Sequence, residues 1–299
     1  MRLASIDLGS NTLRMLIAES DGKKLDVISE FIRAPRAGLD VKETQLINPR
    51  SSLRILELLR RCRIFWKEMG VEKIAAVATH FSREARNWPQ VSTAIVREVG
   101  VEFHSISSEQ EAELGFLGAT YDIANPNNIS VIDIGGGSTE FISKNRDLHT
   151  YSIPFGALNL TEGYIKSDPP TKKEIKNLRG IIKSKLNAPK PALNGNTRIG
   201  IGGTLSSLAL LAQNQKFYDV EKVNNCTLSR NDVSKIFSKL IACNKIDREE
   251  LLPWDRTRAE ILPAGTLICE SLMDYFGWDT IDVRHRGIVY GLAIKAARE

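Results

Sequence analysis

Ile6-Asp7-Leu8-Gly9-Ser10-Asn11-Thr12 and Ile132-Asp133-Ile134-Gly135-Gly136-Gly137-Ser138-Thr139 decide how this chain reads. Each is an apolar, β-branched run that ends in an aspartate and small residues, then meets a second strand-like run. An aspartate closing an apolar strand is expensive to desolvate unless a cation or a hydrogen-bond donor meets it. The Gly, Ser, Asn and Thr that follow let backbone N–H groups turn inward and cradle phosphate oxygens. A lone Asp-x-Gly reads as a plain hairpin turn. Its recurrence, the second time with three glycines, points to anion binding and suggests one phosphate-loop hairpin used in two duplicated domains.

Outward from these loops the pattern is α/β. Strand-like runs near 4–8, 74–79, 101–106, 130–134 and 141–143 alternate with amphipathic stretches. Leu53, Leu56, Leu59, Trp66 and Met69 approximate one helical face. Another helix opens near Ser108 and ends before Asn125-Pro126-Asn127-Asn128, the best linker candidate. Helices are expected over 171–186, 232–243 and 259–276, the first two opening on the reciprocal capping patterns Thr171-x-x-Glu174 and Ser229-x-x-Asp232. The Pro- and Asn-rich 187–196 reads as a loop. A third glycine segment, Gly200-Ile201-Gly202-Gly203-Thr204, precedes a helix-compatible stretch, so a phosphate could sit at that helix N-terminus. The same residues serve equally as an ordinary turn and N-cap. They form neither a dinucleotide fingerprint nor a Walker loop, since no Gly-Lys-Ser/Thr follows.

A chain of 299 residues, 42% hydrophobic and 26% charged, predicts two folded domains. No apolar run approaches the roughly 18 residues that span a bilayer. Met1-Arg2 leads straight into a strand without a signal-peptide core, which predicts a cytoplasmic protein. Cys62, Cys226, Cys243 and Cys269 are too scattered for a metal site or a disulfide framework, and the four histidines lack metal-site spacing. A net charge of +5 favours anionic partners without choosing among nucleic acid, membrane surface and phosphate compounds.

In order and spacing, these segments resemble the exopolyphosphatase and guanosine pentaphosphate phosphohydrolase (Ppx/GppA) family. The two loops, with Arg14 and Glu140, look like its first and second phosphate motifs. Arg33 with Gly38-Leu39, Thr79 with Arg83, Ala85 and Asn87, and Ile106-Ser107 with Glu111-Ala112 resemble later ones. Gly202-Gly203-Thr204 and Arg258 with Ala264-Gly265 complete the set. The resemblance implies two ribonuclease H-like domains of the actin, hexokinase and chaperone ATPase superfamily, with an interdomain cleft. Residues 1–122 would form the first, 123–287 the second, and 288–299 a helix returning to the first.

It further implies Mg²⁺-dependent removal of terminal phosphate from inorganic polyphosphate, with pppGpp as the alternative substrate. A non-hydrolytic polyphosphate or alarmone sensor and an actin-like kinase or ATPase are the rival functions. The expected partner is therefore polyphosphate or a guanosine alarmone, with neither a membrane nor a nucleic acid as substrate, and homodimerisation is a family expectation. By the same resemblance Glu111 is the base toward water, and Asp133 and Glu140 help hold the metal. Asp7, closing its apolar strand, is a further metal candidate, and Arg83, shortly after a strand, is a catalytic candidate that could project its guanidinium toward phosphate. Ser10, Asn11, Thr12, Arg14, Gly136, Gly137, Ser138, Thr139, Gly202, Gly203 and Thr204 would bind phosphate.

Each polar candidate also has a plain structural explanation. Glu111 lies three residues after Ser108 and could be the acidic half of a capping box. Arg83 could pair with Glu84 or a neighbouring acid instead of phosphate. Arg14, inside the apolar run 13–17, requires a carboxylate or a ligand if buried. Three positions depart from the family pattern: Gln110 replaces an acid, His80-Phe81-Ser82 replaces small residues, and Gly287-Ile288-Val289-Tyr290-Gly291 lacks an Arg-Glu pair between its glycines.

Overall fold

The computed structural model describes residues 1–144, 147–186 and 197–299, so the loop expected over 187–196 lies outside the described residues. Backbone contacts divide the chain into two compact units, Met1–Ala124 with Arg286–Glu299, and Asn125–His285.

The first unit opens with the hairpin β1 (Arg2–Leu8) and β2 (Leu13–Ser20), followed by β3 (Leu25–Arg33), α1 (Val41–Thr44) and α2 (Pro49–Glu68). It continues through β4 (Lys73–Ala78), α3 (His80–Glu84), α4 (Trp88–Val99), β5 (His104–Ser105) and α5 (Ser108–Thr120). The sheet order is β3-β2-β1-β4-β5, antiparallel on the hairpin side of β1 and parallel from β1 to β5. Asn48 starts α2 by accepting the Ser51 N–H at 2.8 Å, with Pro49 pre-set in the first turn. The buried stripe of α2 is Ile55, Leu59, Cys62 and Trp66. That corrects the face expected from sequence: Leu53 is 67% exposed, because spacings of four, three and four from Ile55 track the helical period better.

The second unit carries β6 (Ile129–Ile134), β7 (Thr139–Lys144), β8 (Leu148–Ile153), α6 (Ala157–Tyr164) and α7 (Lys172–Leu186). Then come β9 (Thr197–Ile201), α8 (Gly202–Ala212), α9 (Val220–Asn224), β10 (Cys226–Ser229), α10 (Arg230–Ala242), α11 (Lys245–Leu251), α12 (Leu262–Phe276) and β11 (Thr280–Val283). Its sheet runs β10-β11-β9-β6-β7-β8. Taken from β8 to β11, it repeats the first sheet strand for strand, with β10 added at the edge; the echo in sequence is thus a duplicated supersecondary unit. Both predicted capping boxes are formed. Thr171 and Glu174 bond reciprocally ahead of α7, as do Ser229 and Asp232 ahead of α10.

The helix α13 (Ile288–Arg298) belongs to the first unit. Val289, Tyr290 and Ala293 pack on Leu3 and Leu16, while Ile288 and Leu292 pack on Val77, Ile106 and Leu114. Ser5 Oγ donates to Val289 O at 2.6 Å and Lys73 Nζ to Ala296 O at 2.8 Å, which fix its register. All four cysteines are free thiols, and burial pushes Cys62 and Cys269 up to about 12, so both stay protonated at neutral pH. Among the described residues no helix is long and apolar enough to cross a membrane.

Candidate active site

The two aspartate hairpins close with the same turn. Gly9 N–H donates to Thr12 O at 2.9 Å, and Gly135 N–H to Ser138 O at 3.0 Å. In both, the loop carbonyls are pinned from one side. Gly38 N–H and Arg36 N–H donate to Ser10 O (2.7 Å) and Asn11 O (3.1 Å). In the second loop, Ala157 N–H and Leu158 N–H from the start of α6 donate to Gly135 O (2.9 Å) and Gly136 O (2.8 Å). Asn159 Nδ2 takes Gly137 O at 2.7 Å, its own Oδ1 accepting Gly156 N–H at 2.8 Å. In a trans peptide C=O and the following N–H point opposite ways. Holding these carbonyls therefore directs the N–H groups of Gly136, Gly137 and Ser138 to the other side, the arrangement that receives an anion. The clamp requires Gly156, whose β-carbon would lie 2.5 Å from Gly135 O.

The hairpins differ in charge. Strand register sets Asp7 opposite Arg14 in the first and Asp133 opposite Glu140 in the second. Opposed side chains in an antiparallel pair have β-carbons about 5 Å apart, so the first pairing is favourable and the second sets like charges together. Glu140 is 1% exposed, held by Ser152 Oγ at 2.9 Å. Asp133 reaches toward the third glycine segment, where Gly202 adopts φ +88° and a β-carbon would meet Asp133 Oδ1 at 2.3 Å. Gly202, Gly203 and Thr204 form the first turn of α8, whose N-cap, Ile201, supplies no capping side chain. Thr139, fully buried, donates its hydroxyl to Phe155 O at 2.8 Å, and Thr204, 2% exposed, lies against Gly265 of α12.

In the first unit, Arg83 projects from α3, with Nη1 2.6 Å from Ile106 O and 3.0 Å from Glu111 Oε2, and Nη2 3.1 Å from Ser108 Oγ. Glu84 instead meets His80, whose imidazole burial holds below its ordinary range against the partial opposition of Glu84. The capping box at the start of α5 is Ser107 with Gln110, one residue upstream of the pair read from sequence. Gln110 thus has a structural duty, and Glu111, 7% exposed, has its carboxylate on Arg83. Ser10 and Asn11 are buried in the first loop, where Asn11 Oδ1 has no hydrogen-bond partner among the described residues.

Arg14 meets a carboxylate, Glu30, at 3.3 Å, and the Tyr290 hydroxyl donates to the other oxygen of Glu30. Burial, then the Glu30 carboxylate, pushes the Tyr290 phenol far above its ordinary range. This accounts for one departure at the C-terminal glycines, since an acid at 290 would oppose Glu30 where a phenol donates. Tyr290→Phe is expected to lower unfolding stability by about 1.5–3 kcal/mol, the loss of a hydrogen bond to a charged group. Tyr290→Glu should cost more at neutral pH. Urea midpoints check both.

Two ribonuclease H-like sheets, each presenting an aspartate-ended loop, define a protein of the actin, hexokinase and chaperone ATPase fold class. The chain belongs to the Ppx/GppA phosphatase family, whose family model matches residues 16–297. A crystal structure of the Aquifex aeolicus Ppx/GppA family member is 32% identical, with a TM-score of 0.81 over 99% of this chain and 97% of that one. Exopolyphosphatase 2 of Mycobacterium tuberculosis is 29% identical, across 99% of this chain and 98% of its own length. A guanosine-5'-triphosphate,3'-diphosphate pyrophosphatase of Aeromonas hydrophila is 24% identical, across 97% of this chain and 59% of that protein.

Sequence reasoning missed Asn159 and Glu30, and it marked Tyr290 only as a departure from the family pattern, not as a partner of Glu30. Asn159 had a legible signal, an amide between Leu158 and Leu160 on an otherwise apolar helical turn. Glu30 had none, because its meaning depends on which strand lies beside β2.

Proposed function

We propose that the chain is an exopolyphosphatase-type phosphohydrolase that removes terminal phosphate from inorganic polyphosphate in the cytoplasm, with Mg²⁺ as cofactor. The observation that carries this is the register pairing Asp133 with Glu140 at the mouth of a clamped glycine loop. A divalent cation between two opposed carboxylates relieves their repulsion. Among the described residues no three His, Cys, Asp or Glu side chains gather as a metal site. That donor set suits an ion taking one or two carboxylates plus waters and phosphate oxygens, which is the habit of Mg²⁺ rather than Zn²⁺. Asp133 and Glu140 would hold it, and when bound it neutralises charge on the phosphate oxygens.

The chain's own groups do the rest. The loop N–H groups bind and orient the terminal phosphate, and Glu111, positioned by Arg83, accepts the proton of the attacking water. The Aeromonas relative favours pppGpp as a second substrate, whose terminal anhydride presents the same chemistry. Phosphate release from long-chain polyphosphate, pppGpp and ATP, with Mg²⁺ or with EDTA, tests the proposal. Polyphosphate is expected to be fastest, EDTA to abolish turnover, and Asp133→Asn to raise the Mg²⁺ concentration for half-maximal rate. Faster pppGpp cleavage would favour the second substrate, faster ATP cleavage an actin-like ATPase, and tight binding without turnover a sensor.

A further inference from the structure

The excess charge of the molecule is gathered on one helix. The helix α7 carries Lys172, Lys173, Lys176, Arg179, Lys183 and Lys185 against a single acid, Glu174, a net +5. The whole chain is also +5, so everything outside α7 balances to zero. All six cations are exposed, whereas Leu178, Ile182 and Leu186 bury the opposite part of the helix. Lys172, Lys176, Arg179 and Lys183 follow spacings of four, three and four, which sets them in one row about 16 Å long. Little relieves that row. Glu174 is committed to the helix start, its carboxylate accepting the N–H groups of Lys166 (2.7 Å), Ser167 (3.0 Å) and Thr171 (2.7 Å). Arg179 has Glu270 of α12 at 2.7 Å. Among the described residues none of the five lysine ammonium groups meets a carboxylate, whereas surface cations elsewhere do, as Lys24 with Asp26, Arg60 with Glu98 and Lys245 with Glu260.

Like charges three and four apart on a helix repel, and lysines in its first turn oppose the helix dipole. A row of cations kept at that cost fits a linear polyanion. The other exposed residues of α7 are Asn177, Gly180 and Ser184, so no aromatic ring stands among the cations to stack a nucleobase and no large apolar side chain to enter a bilayer. We propose that α7 is an exosite for polyphosphate, its row of cations holding the body of a long chain whose end is cleaved at the clamped glycine loop. The assignment rests on the phosphohydrolase reading and deepens it, because it makes chain length a determinant of affinity. A chain tethered at α7 presents its end at a raised local concentration. Loss of the tether therefore weakens long chains and not short ones, and falls on KM more than on kcat.

The experiment uses the full chain. A triple variant, Lys172→Gln with Lys176→Gln and Lys183→Gln, removes three members of the row and spares Arg179 with its partner Glu270. A control, Lys67→Gln with Lys222→Gln and Lys235→Gln, removes the same charge from exposed lysines of α2, α9 and α10. Calorimetric binding of long-chain polyphosphate and of tripolyphosphate is measured in the Glu111→Gln background, and steady-state phosphate release from both without that change. Expected for the triple variant are about tenfold weaker binding of long chains, a matching rise in KM with kcat within about twofold, and unchanged tripolyphosphate affinity. The slope of log affinity against log salt should become shallower by about 2, since each contact to a single-stranded polyanion contributes about 0.7. Long-chain affinity that is unchanged, or that falls equally in the control, would overturn the assignment. So would an equal loss for tripolyphosphate, which puts the effect at the cleavage site. Single-stranded RNA or anionic lipid vesicles bound through α7 more tightly than polyphosphate at the same salt would also overturn it, in favour of that partner. Long chains bound through α7 by a wild type that releases no phosphate from either substrate would instead sink the phosphohydrolase reading and leave α7 as a polyphosphate surface.

Discussion

Glu111→Gln is expected to release phosphate from polyphosphate about 10²–10⁴-fold more slowly than wild type, the range that a positioned general base contributes. The substitution is nearly isosteric and leaves one carbonyl oxygen to accept from Arg83, so the loop from Ile106 to Ser108 keeps its anchor. What it removes is the only charge on that side chain. Glu111 is 8% and Arg83 24% exposed at the side chain, so the lost ion pair also costs stability. Partial exposure of Arg83 keeps that cost below the about 3–5 kcal/mol of a fully buried pair. The two effects separate in measurement. Phosphate release at saturating polyphosphate gives kcat, and a thermal melt shows that the variant is folded at the assay temperature. A folded Glu111→Gln protein with wild-type kcat would remove Glu111 from the mechanism and return it to a purely structural role beside Arg83.

Gly291→Ala should be the most destabilising single methyl in the first unit. Its β-carbon would fall 2.0 Å from Leu114 O of α5, and Gly118 of α5 stands 2.1 Å, by the same construction, from Gly287 O. The two helices cross backbone against backbone at both points. Side-chain rotation cannot relieve a clash with a carbonyl, so the helices must separate along the packing of Ile288 and Leu292 on Leu114, Val77 and Ile106. Overpacking typically costs about 1–3 kcal/mol, and the rigidity of this contact places Gly291→Ala at or above about 3 kcal/mol. A lower urea midpoint at unchanged slope is the expected signature, and a loss under about 0.5 kcal/mol would show that the crossing yields easily. Leu114 lies one turn from Glu111, so residual folded protein should also have a lowered kcat.

What the sequence made legible was local. Asp7 and Asp133, each ending an apolar run ahead of small residues, announced the hairpins, and Thr171 with Glu174 and Ser229 with Asp232 announced helix starts. Less legible was whatever depended on a neighbour in space. β3, Leu25–Arg33, is an edge strand exposed along much of its length, so it lacks an alternating apolar signal. The strand expected over 101–106 shrinks to His104–Ser105, because Val101 and Phe103 bury themselves in the core without pairing to β4. The 259–276 helix begins instead at Leu262: residues 259–261 form a turn that follows the 3-10 turn Arg256–Arg258, and Pro263 takes an early helical position. At the candidate site, Glu111 looked equally like half of a capping box until Ser107 and Gln110 took that duty. Opposition of Asp133 to Glu140 follows from a turn length that sequence suggests, whereas Arg14 with Glu30 and Tyr290 joins three distant stretches and could not be read.

The attachment of α13 to the first unit has a consequence for synthesis. A ribosome makes residues 1–124, then the entire second unit, and only then the helix that covers Leu3, Leu16, Val77, Ile106 and Leu114. Until that helix emerges, the nascent first unit carries an apolar groove along β1, β2 and β4, open to any passing amphipathic helix. The second unit waits in the same way for β11, the strand between β10 and β9 that ends shortly before α13 begins. Both units therefore become whole only as the end of the chain is made.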